Sequence, residues 1–266
     1  MTYYHHLIKS APAYGALTTA WIAATSETDT TIISALNTLE TDLTTYGLTA
    51  KIKALYPMVG GSAAKHKFNF LDARDLDAAF RLTFSGGWTH SSTGAKPNGT
   101  NAYADTKFNP FTQSLSINSA HISYYRRNVS SGTLIGSLTN AATVLRFTLI
   151  PDYGGGYGNI SEIISTNAQQ AGTAITELGL INGNRNSSTA FKIFANSTLK
   201  QTVTRTSFTQ PSNTFYIGAC HEAASATAYN SGECAFASIG DGLTDTEAAN
   251  FYTAVQAFQT TLSRQV

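Results

Sequence analysis

The sequence CAFASIGDGLTDTE, residues 234–247, indicates a strand that leads through a tight turn into a helix. Residues 234–239 form an apolar run of strand length. Thr244 and Glu247 have the spacing of a capping box, in which the hydroxyl and the carboxylate each satisfy an exposed amide of the first helical turn. One apolar helical stripe follows, and it consists of Phe251, Val255, Phe258 and Leu262. We therefore predict a core strand over residues 234–239 and a closing helix that begins at Thr244.

Residues 66–239 consist of short β-rich runs separated by Gly, Asn, Ser and Pro clusters, a pattern typical of a β-sandwich or barrel. In the run from Val144 to Leu149, Arg146 and Thr148 alternate with apolar residues, which predicts a strand with one buried face. The strand candidates are residues 79–84, 121–126, 144–150, 175–181, 190–195, 214–219 and 234–239.

The amino-terminal part has a different pattern. Residues 26–46 are predicted to form a helix that begins with the Ser26–Asp29 [ST]-x-x-[DE] pattern, and its apolar stripe is Ile32, Leu36, Leu39 and Leu43. A short helical turn is expected through Leu48, Ile52 and Leu55, before a hinge at Gly60-Gly61. We divide the chain into a helical attachment or oligomerisation segment, 1–60, and a sandwich with its closing helix, 61–266. Two interpretations of the helical stripe stay open, packing onto its own domain and self-association.

The composition limits the partners. Charged residues make up 12% of the chain, about half the usual fraction, and the net charge is +1. No basic run exceeds the Arg126-Arg127 pair, so nucleic acid is not an expected partner. No apolar stretch approaches the roughly 20 residues of a membrane span, so no membrane partner is expected either.

The two cysteines, Cys220 and Cys234, lie at equal distances from Thr227. A hairpin that turned at Thr227 would place them opposite each other, as a cross-strand or disulfide pair. The alternative is two separately buried free thiols.

Three stretches, in order, resemble the laminin-G-like jelly-roll family, whose fold is a concanavalin-A-like sandwich of two antiparallel sheets. They are KPNGTNAYA (96–104), with a hairpin turn at Asn98-Gly99; HISYYR (121–126); and the series 215–219, 234–239 and 243–247. The resemblance implies a mainly β jelly roll with an amino-terminal helical element and a carboxy-terminal helix.

Residues 52–57, 60–61, 65–69, 71–75 and 80–87 also resemble phage virion proteins of viruses that infect Bacteroidetes-type hosts. That resemblance implies a non-enzymatic structural protein of the virion surface, made in the host cytoplasm, as a fibre, tail or baseplate component or a capsid decoration. Its expected partners are other virion proteins, further copies of itself, and host-surface glycans. The alternative functions are a carbohydrate-binding receptor-recognition module and, third, a glucanase-like hydrolase.

The pattern of carboxylates in the sequence does not predict an enzyme. Retaining glucanases that share this sandwich need two carboxylates about 5 Å apart, which a Glu-x-Asp-x-x-Glu strand supplies. The sequence lacks that pattern, and its glutamates Glu162, Glu177, Glu222 and Glu233 are isolated.

The chain is not expected to require a cofactor. The densest acidic cluster, Asp72, Asp75 and Asp77 around Arg74, allows a calcium site. The alternative is a turn with caps and an Asp75–Arg74 contact. The histidines show no spacing typical of a metal site.

Aromatic residues in polar, Gly-rich loops are the candidate binding residues, since such side chains offer amphipathic faces at low entropic cost. They are Tyr153 and Tyr157 in the loop DYGGGYG (152–158), Trp88, and Tyr229 with Asn230. The alternative is that these residues pack on the core or on neighbouring subunits.

Overall fold

The computed structural model describes residues 14–140, 143–155, 158–166 and 172–266. The helices are α1 (Ala16–Thr25), α2 (Thr30–Thr45), α3 (Ala63–His66) and α4 (Asp245–Thr261), with a 3₁₀ turn over Asp77–Ala79. The strands are β1 (Ile52–Tyr56), β2 (Thr83–Ser85), β3 (Trp88–Ser91), β4 (Gly94–Pro97), β5 (Tyr103–Asp105), β6 (Ala120–Arg126), β7 (Ile135–Asn140), β8 (Val144–Leu149), β9 (Glu162–Thr166), β10 (Gly179–Arg185), β11 (Ala190–Ala195), β12 (Thr198–Thr204), β13 (Tyr216–Ile217), β14 (Cys220–Glu222), β15 (Ser225–Thr227) and β16 (Cys234–Gly240).

These strands form two sheets. Sheet I has the order β12-β11-β10-β6-β16-β4-β3, and β1 also pairs with β16. Sheet II has the order β15-β14-β7-β13-β5-β2. Strand β8 also pairs with β7, and β9 pairs with β8. The pairs are antiparallel except that of β7 with β14, which is parallel. The predicted fold class, a mainly β jelly-roll sandwich with an amino-terminal helical element and a carboxy-terminal helix, is confirmed.

The two faces of sheet I are both buried, against different layers. Tyr124 and Ile181 lie in the apolar core between the sheets, with Phe147 of sheet II. Tyr125 and Leu180, one position away on each strand, lie in a second apolar cluster with the helices. Because neighbouring strand residues point to opposite faces, the molecule has three layers: helices, sheet I and sheet II.

The closing helix matches its prediction. Thr244 Oγ1 accepts a hydrogen bond from the Glu247 amide at 3.2 Å, and Glu247 Oε2 accepts one from the Thr244 amide at 2.8 Å, which completes the capping box. The predicted strands 121–126, 144–150, 190–195 and 234–239 coincide with β6, β8, β11 and β16, to within a residue at each end.

The amino-terminal prediction was wrong in two places. The helix α2 begins after Asp29, whose carboxylate accepts the amides of Thr31 and Ile32. Ser26 instead ends an earlier helix, α1, which the sequence analysis did not predict. The expected helical turn through Ile52 and Leu55 is strand β1, because β16 offers its backbone as a pairing partner there.

Other strands differ from prediction in position. Residues 79–84 contain the end of a 3₁₀ turn and the start of β2, and the strand expected at 175–181 lies at Gly179–Arg185.

The turn at Asn98-Gly99 does not form a hairpin. Its flanking strands, β4 and β5, belong to different sheets, so the turn carries the chain from sheet I to sheet II. Asn98 Oδ1 holds this turn by accepting three backbone amides, those of Thr100, Asn101 and Ala102, at 3.0 to 3.2 Å.

The segment 1–60 is thus joined to the sandwich through β1 and through the apolar cluster beneath the helices. Its predicted role in attachment or oligomerisation stays a prediction.

Candidate functional site

A pocket opens on the outer face of sheet II, where β8, β7 and β14 lie side by side. Leu138 of β7 pairs with Arg146 of β8 on one side and with Glu222 of β14 on the other. Because Ile135 and Phe147 face the core, Leu138 and Arg146 face outward. The pocket has a volume of about 180 Å³, and we call it the Arg146 pocket. Its polar and aromatic lining residues include Thr133, Arg146, Tyr153, Glu222 and Thr227.

Gly136 gives this part of the sheet its depth. A Cβ added there would lie 2.7 Å from Thr133 Cγ2, 3.1 Å from Thr148 Cγ2 and 3.4 Å from Cys220 Sγ. Thr133 and Cys220 both line the pocket. A larger residue at position 136 would therefore press on the pocket wall, and glycine avoids this contact.

Arg146 and Thr133 bring unsatisfied hydrogen-bonding groups to the pocket. In the described part of the chain, Arg146 Nε and Thr133 Oγ1 are buried and have no hydrogen-bond partner. Leaving such groups unpaired costs on the order of 1–3 kcal/mol each. Oγ1 of the neighbouring Thr148 is also buried and has no hydrogen-bond partner among the described residues. Arg146 and Thr133 both line the pocket, and these unpartnered atoms lie buried in its wall.

The carboxylates near Arg146 are held by other groups. Glu222 Oε2 accepts a hydrogen bond from Thr227 Oγ1 at 2.9 Å. Glu162 is ion-paired with Arg205 and accepts a hydrogen bond from Ser165 Oγ at 2.5 Å. Burial raises the pKa of Glu162, and the charges of Arg205 and Arg146 act against this rise. Glu162 is therefore a buried structural carboxylate.

Tyr153 stands at the rim of the pocket on the Gly-rich loop. The residue is 42% exposed. The loop is closed by hydrogen bonds from the Tyr153 amide to the Gly158 carbonyl at 2.8 Å and from the Gly154 amide to Asp152 Oδ1 at 2.9 Å. The structure thus places Tyr153 at the pocket, and its role in binding stays a prediction. Tyr157 lies outside the described residues.

The other candidate binding residues do not line this pocket. Trp88 is half-buried; its Nε1 donates to the Ser85 and Tyr103 carbonyls, and its ring packs edge-on against Phe84 at 5.2 Å. Asn230 is fully buried, where Oδ1 accepts from the Gly232 amide and Nδ2 donates to the Ser131 carbonyl. These contacts give both residues structural roles. Tyr229, which is half-buried, stays a prediction.

The predicted cysteine pair does not form. The hairpin of β14 and β15 pairs Cys220 with Thr227, so Thr227 is a strand residue and not the turn. Cys234 lies in β16 of the other sheet. Both cysteines are free and buried, which is the alternative that the sequence left open.

The acidic cluster consists of ion pairs. Arg74 binds Asp72 at 2.5 Å, and Arg81 binds both Asp75 and Asp77 at 2.8 Å. The contact expected between Asp75 and Arg74 is replaced by these pairs. Across the described ranges, no group of three metal-ligating side chains is found.

Two histidines do come together, contrary to expectation. Nδ1 of His66 lies 2.9 Å from Nδ1 of His90. Their sequence separation gave no signal for this pair, because α3 and β3 meet only in the folded chain.

Within the residues that the structure covers, no helix has the length and apolar character to cross a bilayer.

No protein-family model matches the sequence, and no curated protein matches it. The chain is similar to parts of several solved structures. Domain 4 of AbnA, a GH43 extracellular arabinanase from Geobacillus stearothermophilus, in complex with arabinotriose, is 13% identical with a TM-score of 0.47; the match covers 76% of this chain and 98% of that one. The CBM40 of Ruminococcus gnavus IT-sialidase bound to α2,3 sialyllactose is 16% identical, with a TM-score of 0.37 over 52% of this chain and 84% of that one.

A Trypanosoma rangeli sialidase in complex with 2,3-difluorosialic acid is 10% identical, with a TM-score of 0.46. That match covers 75% of this chain and 32% of the sialidase. At these identities and TM-scores the matches carry no conclusion about this chain, and its ligand has to be argued from its own residues.

Proposed function

We propose that this chain is a non-enzymatic carbohydrate-binding module and that the Arg146 pocket is its ligand site. The observation that carries the proposal is an open pocket in which the polar side chains of Arg146, Glu222 and Thr227 lie beside the exposed Tyr153. A sugar ring matches this arrangement, since its hydroxyl oxygens accept hydrogen bonds while its C–H face packs on an aromatic ring.

The size and position of the pocket support the same function. A volume of about 180 Å³ lies below the 300–1,000 Å³ typical of drug-sized ligands and is suited to a single sugar unit at the end of a chain. Sheet I is covered on its outer face by the helices, which leaves sheet II as the sheet that offers a binding face.

The lining also supports binding without hydrolysis. Glu222 is the one carboxylate among the described residues that line the pocket. The two-carboxylate mechanism that most glycoside hydrolases use needs a second carboxyl group at the scissile bond.

A glycan array probed with the intact chain tests this function. We expect binding to a subset of sugars, weakened at least about tenfold by Tyr153→Ala through the loss of ring packing. Phe111→Ala is the matched control, because Phe111 is a similarly exposed aromatic residue that does not line the pocket. An array without signal, or equal binding by the Tyr153→Ala variant, would contradict the proposed site.

The location on a virus particle stays a prediction from sequence resemblance, as do the virion partners and the homo-oligomer. Detection of the chain in purified particles by mass spectrometry would test this location.

A further inference from the structure

We infer that the Arg146 pocket selects a sugar that carries a carboxylate, with the Arg146 guanidinium as its counter-charge. This inference rests on the proposed function and goes further by naming the substrate class. It starts from the position of Arg146, which is half-buried on β8 with its Nε turned into the protein and unpartnered among the described residues.

Among the described residues, Arg146 forms no ion pair. None of the ion pairs formed within the described ranges includes Arg146. The parts of the chain between residues 141 and 171 that lie outside the described ranges (141–142, 156–157 and 167–171) contain no charged residue. A guanidinium placed in this way favours an anionic ligand.

Arg146 is one of three arginines that interact with the buried Glu162. Three guanidinium groups, those of Arg146, Arg185 and Arg205, act on Glu162, and the second carboxylate nearby is Glu222. Arg205 already pairs with Glu162, and Arg185 donates to the carbonyls of Ile163 and Ala190. Arg146 is therefore the cation of this group that faces the pocket.

The two walls of the pocket have opposite charges, which would orient the sugar. Arg146 and Glu222 flank Leu138 on opposite sides of β7. A carboxylate binds the planar guanidinium through charge-assisted and often bidentate hydrogen bonds. Glu222 repels a carboxylate and accepts hydrogen bonds from ring hydroxyls. The carboxylate end of the sugar would thus face Arg146, and its hydroxyl edge would face Glu222.

The test compares acidic sugars with neutral sugars that differ from them only at the carboxyl group. The probes are immobilised glucuronic, galacturonic and N-acetylneuraminic acid glycosides, each beside its carboxyl-reduced alcohol. We expect binding to at least one acidic sugar, at least about tenfold weaker binding to its reduced counterpart, and weakening at raised ionic strength.

Arg146→Gln is expected to remove the preference for the acid, and Arg146→Lys to retain part of it, since the charge remains while the planar fork is lost. Arg74→Gln is the matched control, because Arg74 is an exposed arginine paired with Asp72 outside the pocket. Unfolding curves of each variant separate loss of binding from loss of fold.

The outcomes distinguish this inference from the proposed function. Equal binding to the acids and to their reduced forms, with no effect of Arg146→Gln, overturns the carboxylate selectivity and leaves a neutral-sugar module. Silence on these probes together with silence on the full glycan array overturns both. Binding to a neutral sugar alone overturns the inference and supports the module.

Discussion

At the scale of single residues, buried polar side chains connect distant parts of the chain. Arg264, fully buried, donates hydrogen bonds to the carbonyls of Met58, Pro57 and Ala235 and to Oε1 of Gln259, at 2.7 to 2.8 Å. Burial lowers its pKa to about 9. This one side chain ties the end of the molecule to the segment after β1 and to β16.

We predict that the buried histidines make the folded protein less stable in mild acid. Burial, assisted by the charges of His90 and Arg264, lowers the pKa of His66 to about 3, and burial lowers that of His121 to about 4. In the unfolded chain a histidine titrates near about 6.5. Below that pH the unfolded state binds protons that the folded state does not, so the free energy of unfolding falls as the pH falls. Each such histidine contributes up to about 1.4 kcal/mol per pH unit in this window.

Urea unfolding between about pH 7 and about pH 5 measures this slope, above the range in which most carboxylates titrate. The substitution His66→Gln should flatten the profile. A stability that stays constant over this range in the native chain would contradict the prediction.

We predict that the two cysteine thiols are unreactive in the folded protein. Burial raises the pKa of both Cys220 and Cys234 to about 12, so almost no reactive thiolate is present at neutral pH. We expect slow labelling by a thiol reagent under native conditions and two titratable thiols per chain after denaturation without a reductant. Fewer than two thiols in denaturant would show that a disulfide forms.

At the scale of elements, helix α1 begins without a cap of its own and takes its cap from α2. The N-cap residue of α1 is Gly15, which has no side chain that could accept a hydrogen bond from the first helical turn. Glu40 of α2 accepts the amides of Leu17 and Thr18 at 3.1 and 2.9 Å, and Asn37 accepts the amide of Gly15 at 2.8 Å. Two oxygens of one carboxylate thus satisfy the first turn of a neighbouring helix.

The substitution Glu40→Ala should lower the free energy of unfolding by about 1–2 kcal/mol, the usual effect of losing a helix cap. Asp42→Ala is the control, since it removes the same charge from the same helix while the α1 cap stays intact. Chemical denaturation of both variants checks the difference, and an equal loss in the two would argue against the cap.

At the scale of the whole molecule, the helices form the outer layer of sheet I. Leu36, Leu39 and Leu43 of α2 are fully buried in the cluster that contains Phe236 of β16 and Phe258 of α4. The apolar stripe predicted from the sequence is therefore covered within the chain. Oligomerisation, which stays a prediction, needs a different surface from this one.

Removal of residues 1–60 should consequently unfold the remainder. The deletion takes away β1, uncovers the outer face of sheet I at Tyr125, Leu180 and Phe236, and removes two carbonyl partners of Arg264. We expect a product that aggregates or lacks a cooperative thermal transition. A soluble, cooperatively folding fragment 61–266 would instead support an independent sandwich domain.

Much of the fold could be predicted from the sequence because its signals are local. The capping box at Thr244 and the stripe behind it depend on residues within one helix, and the alternation around Arg146 depends on residues within one strand. The alternation correctly placed Arg146 on the face opposite Phe147. The low charge and the turn residues between short runs indicated a β-sandwich or barrel, and the resemblance to the laminin-G-like family implied the jelly-roll sandwich.

The tertiary structure alone decided which strands meet. Leu48, Ile52 and Leu55 have an apolar helical spacing, and yet residues 52–56 form a strand because they pair with β16. Asn98-Gly99 is a good hairpin turn, yet the chain changes sheets there. Arg146 and Glu222 are 76 residues apart and become opposite walls of one pocket only because β14 pairs with β7 in parallel. Register between distant strands follows from the packing of the whole core, so no local pattern in the sequence carries it.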